Sequence, residues 1–287
     1  LLERYLGLKI DVDTYRGMEE GVPTLLETLS RFGVNGTFFL SIGPDASGRA
    51  IFQFLKNPKF LKKMWRTRAL SLYGVKTAFY GTLLPSPMIA LSFPHLVRAI
   101  IEAGHEVQFH AWDHRRWQDE LHKRPTHWVR EWFVKGLAGF EKLTGKKAEA
   151  FGAPAWQVDE RVMEMVSDFG FTYLGCSRAP APFIHATCGL MEIPSNLPCI
   201  EEVGDKNFVG EITKKLEEGG IFCLPVHAEV EGGLGKELFV QVLKEARKRN
   251  YEIVPLRRLY EILLSKELPR RKYGLSLLPG RATPCAV

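Results

Sequence analysis

No stretch of the 287 residues stays apolar for the roughly 18 positions that a bilayer span requires, so no membrane-crossing helix is expected. The opening residues, Leu1 to Leu6, lack the basic region, long apolar run and small-residue cleavage site of a secretory signal. Because the chain opens on Leu1 instead of Met, an upstream residue or segment is expected to be missing. Cysteine is sparse. The five, Cys176, Cys188, Cys199, Cys223 and Cys285, are odd in number and contain no CxxC pair. That argues against a disulfide framework or a thiolate zinc site and fits a reducing compartment. There is no short-period repeat and no clear linker. What remains is ordinary globular material, 45% hydrophobic and 25% charged, enough for one large α/β domain or two small ones.

Acid is absent altogether between Asp45 and Glu102, where nine Lys and Arg residues fall: Arg49, Lys56, Lys59, Lys62, Lys63, Arg66, Arg68, Lys76 and Arg98. Phe52, Phe54, Phe60, Trp65, Tyr73, Phe79 and Tyr80 are interleaved with them. A cationic, aromatic, amphipathic stretch suits a membrane interface carrying anionic lipid. A nucleic-acid patch shares the charge but needs less apolar content, so no nucleic-acid partner is expected. A solvated helical hairpin is the plainer alternative.

Outside that stretch, short β-rich runs alternate with amphipathic ones about seven times, which predicts an α/β fold with a parallel sheet, closed or nearly closed into a barrel. Barrels of this kind carry their chemistry at the C-terminal ends of the strands. Four polar groups fall there: Asp11 and Asp13 after the first strand, His110 and His114 after a middle strand, Trp156 after another, and His227 near the end. Histidines four apart can converge on one divalent ion, though the pair alone is a weak signal. Asp11 and Asp13 have a plainer reading as turn and helix-cap residues. Their shared destination in one barrel mouth strengthens the metal reading.

Asp11-Val12-Asp13, His110-x3-His114, the Trp156 loop and Leu224-x-x-His227 together resemble the motifs of NodB-type polysaccharide deacetylases, carbohydrate esterase family 4, over about residues 6–264. Ile10-Asp11-Val12-Asp13-Thr14-Tyr15-Arg16-Gly17, Gly43-Pro44-Asp45, Ser71-Leu72-Tyr73-Gly74, His110-Ala111-Trp112-Asp113-His114 and His227-Ala228-Glu229-Val230-Glu231-Gly232 look most like a deformylase branch of that family. That branch acts on 4-deoxy-4-formamido-L-arabinose-phosphoundecaprenol in lipid A modification, a route to polymyxin resistance.

The resemblance implies a deformed (β/α)7 barrel over residues 1–265, with 46–100 as a basic membrane-interface insertion. Residues 266–287 are expected to form a loosely held basic tail. It implies one divalent ion, zinc, cobalt or manganese, on Asp13, His110 and His114, with Asp11 as general base and His227 as general acid. The implied partners are a polyprenyl phosphate-linked sugar and an anionic membrane surface, met from the cytoplasmic face of the bacterial inner membrane; oligomeric state is left open. Candidate substrate contacts are Arg16, Trp112, Trp156, Tyr173 (through a nearby backbone N–H) and Glu229, with core packing or plain solvation as the rival for each. Asp113 is either a support for a ligating imidazole or an exposed residue, and His105 and His122 have no partner pattern.

Two departures stand out. The Arg that orients the base in the family's third motif is replaced by Gly152 or Ala153, and the fourth motif, Tyr173 to Arg178, has no Asp. Arg16 and Arg178 are the candidate replacements. The rival functions are N-deacetylation of another glycan or lipid-linked sugar, and a membrane-surface binding module whose site has decayed.

Overall fold

Strand β1 (Arg4–Val12) organises the computed structural model, which describes residues 3–50, 80–279, 281 and 283–287. Its alternation separates two buried surfaces, as expected of a parallel strand covered on both faces. Leu6, Leu8, Ile10 and Val12 point outward to the helices, while Lys9 and Asp11 point into the barrel, and all six are buried. The strand takes in Asp11, which the sequence placed after it.

The chain continues through α1 (Val22–Phe32), β2 (Thr37–Ser41), α2 (Pro94–Glu102), β3 (Glu106–Ala111), α3 (His114–Glu120) and α4 (Thr126–Thr144). There follow β4 (Ala150–Phe151), α5 (Glu160–Val166), β5 (Tyr173–Leu174), β6 (Phe183–His185) and β7 (Met191–Glu192). The remainder is α6 (Ile200–Val203), α7 (Asp205–Glu217), β8 (Gly220–His227), α8 (Ala228–Glu231), α9 (Lys236–Lys248), β9 (Glu252–Val254) and α10 (Leu256–Leu263). Three short strands close the list, β10 (Arg270–Arg271), β11 (Leu275–Ser276) and β12 (Cys285–Ala286).

The main sheet runs β8-β1-β2-β3-β4-β5-β7 with every neighbouring pair parallel. Strand β6 then adds antiparallel to β7, β10 lies beside β6, and β9 pairs with the first part of β1. These seven parallel strands curl but do not close by a regular ladder. The gap between β5 and β8 is spanned by the chain after β7. There the Ser195 N–H donates to the Ser177 carbonyl, and the Leu197 N–H donates to that of Cys223. The side-chain oxygen of Asn196 accepts from the Cys223 N–H.

Helix α1 shows why the outer layer forms. Val22, Leu25 and Leu29 share its inner face and are buried, and the helix ends at Gly33, whose φ of 57° gives the left-handed cap. Beneath the histidine-bearing strand, Phe109, Trp117, Trp132, Phe133 and Phe151 form one aromatic block, with Trp117 and Trp132 centroids 4.3 Å apart. Inside the barrel, the N-terminal end is plugged by α10 and by a polar knot. Thr37, Gln108 and Tyr173 all donate to Glu106, the phenol at 2.6 Å. Chemistry is thereby confined to the other end of the barrel.

The basic insertion expected at 46–100 lies mostly outside the described residues. In its described part, α2 packs Val97 and Ile100 into the core, while Leu83 is largely exposed. In the 266–287 stretch, expected to be loosely held, Cys285 and Ala286 are buried and β12 pairs with β11, while Leu275 and Leu277 are largely exposed.

Candidate active site

His110 reaches the mouth through a break in the ladder. Leu40 partners Phe109 while Ser41 partners Ala111, so His110 is the extra residue of a bulge. Such bulges re-aim a side chain at a strand end. His110 is buried, and its Nδ1 lies 2.7 Å from the Gly152 carbonyl oxygen. As the donor of that bond, Nδ1 carries the proton and Nε2 presents its lone pair. His114 follows as the first residue of α3, a helix capped by the Asp113 carboxylate accepting from the Arg116 N–H at 2.9 Å. Asp113 therefore fixes the helix that delivers His114. Nε2 of His110 lies 3.0 Å from one carboxylate oxygen of Asp13, and Nε2 of His114 lies 3.3 Å from the other.

The donor set fits a divalent cation. The ligand atoms of Asp13, His110 and His114 all fall within 4.8 Å of one another. Among the described residues, Oδ1 of Asp13 and Nε2 of His110 are buried without a hydrogen-bond partner, a costly state unless something positive lies between them. Burial pushes the His114 pKa down to about 4, so its ring is neutral near pH 7 and can act as a ligand. Burial alone would raise the carboxyl of Asp13, but the two imidazoles outweigh it and hold it well below the usual range. Replacing His110 with alanine should drop bound metal from about one per chain to near zero. Turnover should fall by about 10³-fold, since a metal supplies several kcal/mol of transition-state stabilisation. Elemental analysis beside an activity assay measures both, and an unchanged metal content would move the ligand set elsewhere.

Asp11 and His227 are register partners on the adjacent strands β1 and β8, so both side chains enter the barrel at one level. The residue that orients Asp11 is Lys9. Its ammonium lies 2.5 Å from the Asp11 carboxylate, with both groups buried. The two candidate replacements are engaged elsewhere: Arg16 pairs with Glu20 at 2.8 Å and Arg178 with Glu202 at 2.7 Å. Gly152 and Gly175 make room for Lys9, because a Cβ on either would stand 3.2 Å from its Cε. Gly152, one of the two residues expected where the family has its Arg, thus borders the space Lys9 occupies. Its alternation was readable, as Lys9 shares parity with Asp11 and Asp13 in an otherwise apolar strand.

His227 has acquired a new partner as well. Its Nδ1 lies 3.2 Å from Oε1 of Glu201, on the four-residue helix α6. Burial would lower the imidazole pKa, yet Glu201 overrides it and holds the ring protonated well above the usual range. The reciprocal effect holds the Glu201 carboxyl at about 2 against its own burial. Nothing in the sequence marked Glu201, because it sits on a connection and not at a strand end. Backbone support comes from Glu231, whose carboxylate accepts from the His227 N–H at 2.7 Å. The Glu231 pKa is pushed up to about 8, by burial first and by Glu201 second.

The remaining expected contacts divide. Glu229 and Arg16 line a cleft of about 100 Å³ together with Gly21, Gly233 and Leu234, and one Glu229 oxygen is buried without a partner. Trp112 is half-buried, with the Lys135 ammonium 5.9 Å from its ring centre. Trp156 is 2% exposed, packed edge-on to His227 and approached by the guanidiniums of Arg178 and Arg281, so no face is left for a sugar. Ala155 and Trp156 both adopt positive φ, 52° and 53°, so local backbone strain accompanies that position. The Tyr173 side chain points to the plugged end of the barrel. His105 is buried, accepts from the Gly36 N–H and has its pKa pushed down to about 4 by that burial.

A family description of polysaccharide deacetylases matches residues 4–174. A curated relative from Shewanella sediminis, named "Probable 4-deoxy-4-formamido-L-arabinose-phosphoundecaprenol deformylase ArnD", is 37% identical over 257 residues, covering 88% of this chain and 84% of its own. A relative of the same name from Wigglesworthia glossinidia brevipalpis is 27% identical, covering 92% of this chain and 96% of its own. Among solved structures, a protein from Mycobacterium smegmatis assigned to the polysaccharide deacetylases superposes with a TM-score of 0.66 at 17% identity, covering 96% of each chain. A family 4 carbohydrate esterase from Streptomyces lividans does so at 0.51 and 11% identity, covering 88% of this chain and 92% of its own. Matched across more than half its length by that family description and folded as its solved relatives are, the chain belongs to the polysaccharide deacetylase family.

Proposed function

We propose that the protein is a metal-dependent deformylase of undecaprenyl phosphate-linked 4-deoxy-4-formamido-L-arabinose, releasing formate and the 4-amino-4-deoxy sugar lipid. The choice of acyl group and sugar is carried by the relative from Shewanella sediminis, whose name specifies that substrate and whose similarity runs across 88% of this chain. Amide hydrolysis is supported by the barrel mouth, where Asp11 with its buried cation and His227 with its carboxylate sit as partners in register. The case for a decayed binding module rested on the missing family Arg and Asp. Lys9 and Glu201 remove that ground.

A formamide carbonyl is a weak electrophile and its amine a poor leaving group. A zinc, cobalt or manganese ion on Asp13, His110 and His114 would supply Lewis acidity to the carbonyl and acidity to a water. Asp11, set beside the Lys9 ammonium, takes the proton from the attacking water. His227, held protonated by Glu201, delivers a proton to the departing nitrogen as the C–N bond breaks. The balance is one amide and one water to one amine and one formic acid, which ionises. Glu229, which lines the cleft, would accept a hydroxyl or ammonium donor of the sugar.

The lipid carrier keeps this substrate at a bilayer, and no described helix is long and apolar enough to span one. The proposed arrangement is peripheral attachment at the cytoplasmic face, with the basic stretch meeting anionic lipid and sugar phosphate. Purified protein given synthetic formylated and acetylated lipid-linked arabinose should release formate in preference to acetate. Acetate alone would replace deformylation by deacetylation. Sedimentation with anionic vesicles should exceed that with neutral vesicles and weaken with salt; equal binding to both at high salt would remove the electrostatic part.

A further inference from the structure

Residues 266–287 contribute to the site a group that none of the family motifs contains. Their described part is fastened to the barrel mouth. The Arg178 N–H donates to the Ala286 carbonyl at 2.8 Å, and the Gln157 side chain donates to the Thr283 hydroxyl at 2.6 Å. Cys285 packs with Trp156 and Cys199 in one small apolar cluster. Just ahead of these anchors Arg281 turns inward. Its guanidinium lies 3.2 Å from Oε1 of Glu202, donates to Cys199 Sγ at 3.2 Å, and stands 4.3 Å from the centre of the Trp156 ring.

Glu202 is held from two sides. Arg178 reaches its other oxygen at 2.7 Å, and that same oxygen accepts from the Cys199 N–H at 3.1 Å, closing the cap of α6. The neighbouring residue on this one-turn helix is Glu201, whose carboxylate faces His227. A four-residue helix has little stiffness of its own, so its orientation depends on what grips it. Trp156 lies between the same two guanidiniums and the imidazole, so the ring and its carboxylate partner rest on a single assembly.

We propose that Arg281 is a positioning residue for the proton donor: by fixing Glu202 and α6, it sets the Glu201 carboxylate against Nδ1 of His227. This rests on the reading of His227 as the general acid of an amide hydrolase. Arg281 is then part of the catalytic apparatus and acts through Glu202 and Glu201.

The test compares full-length wild type with Arg281→Gln and Arg281→Lys. Arg281→Gln should lower kcat by about 10- to 100-fold, the scale of a misplacement near 1 Å, with KM and bound metal unchanged. Arg281→Lys keeps a cation for Glu202 and should recover most of that loss, though not the planar stacking on Trp156. A readout independent of turnover is the downfield proton resonance of His227 Nδ1, assigned by its disappearance in Glu201→Gln. It should shift or vanish in Arg281→Gln and return in Arg281→Lys. Unchanged kcat together with an unmoved resonance overturns the proposal, as does a rise in KM at constant kcat, which would make Arg281 a substrate contact. Should the wild type release neither formate nor acetate, the proposed function fails and the resonance alone decides whether Arg281 orients the pair.

Discussion

Replacing Lys9 with methionine should cost about 3–5 kcal/mol of stability and most of the activity, because it leaves the Asp11 carboxylate buried and unpaired. The Lys9 ammonium stands 4.8 Å from the centre of the Phe39 ring, and its stem runs past Gly152 and Gly175, which leave it space, so an unbranched apolar chain fits the same volume. What is lost is the ammonium at 2.5 Å. Without it, Asp11 loses the partner that orients it, and proton abstraction from water is impaired. Turnover should fall by about 10²- to 10⁴-fold, the usual contribution of a positioned base. Adding Asp11→Asn should restore much of the stability, since the buried charge is then gone, but none of the turnover. Urea denaturation of both variants, with metal content measured alongside, separates the effects. A single mutant within 1 kcal/mol of wild type and still active would show that solvent or another cation serves Asp11.

The two supporting pairs also show how far this site was legible in the residues. Asp11, Asp13, His110, His114 and His227 were visible because each falls at or just after the C-terminal end of a strand, and parallel strands direct those ends to one mouth. Lys9 was equally visible by parity, but a lysine within an apolar run is usually read as an edge residue with its head in solvent. Only a three-dimensional view shows two glycines, from β4 and β5 connections distant in sequence, clearing the space that lets its head remain inside. Glu201 had no such signature, since its position depends on how the irregular 193–199 stretch crosses from β5 to β8. The same holds for Arg281. Its stretch looked like a loose basic tail because composition records charge and proline but not the groove that receives them. Trp156 erred in the opposite direction: an aromatic at a strand end suggests a sugar platform, whereas two guanidiniums and an imidazole already surround it. An ion pair requires two opposite charges close together and places no condition on which strand supplies each. The family's pairing can therefore survive when both of its usual partners are gone.

Replacing Glu201 with glutamine should strike the acid limb of the reaction as Lys9→Met strikes the base limb. His227 acts as a donor only while protonated, so activity is lost as pH rises through its pKa. Burial would bring that loss to low pH, and Glu201 is the largest influence opposing it, followed by Asp13 and Glu231. Asp11 on β1 and Glu229 on α8 are the other carboxylates set around this end of the barrel. With Asp13 taken as a metal ligand, the neutral side chain of Glu201→Gln leaves the ring with much less to hold its proton. The alkaline limb of the kcat/KM profile should therefore move to lower pH. At neutral pH kcat should fall by about 10²-fold or more, as for removal of a general acid. Bound metal should stay at the wild-type level, because Glu201 is not among Asp13, His110 and His114. Glu201→Asp keeps the charge on a shorter arm and should fall between the two. An alkaline limb that stays in place in Glu201→Gln would mean that another group donates the proton, and His227 would then be left as a binding residue.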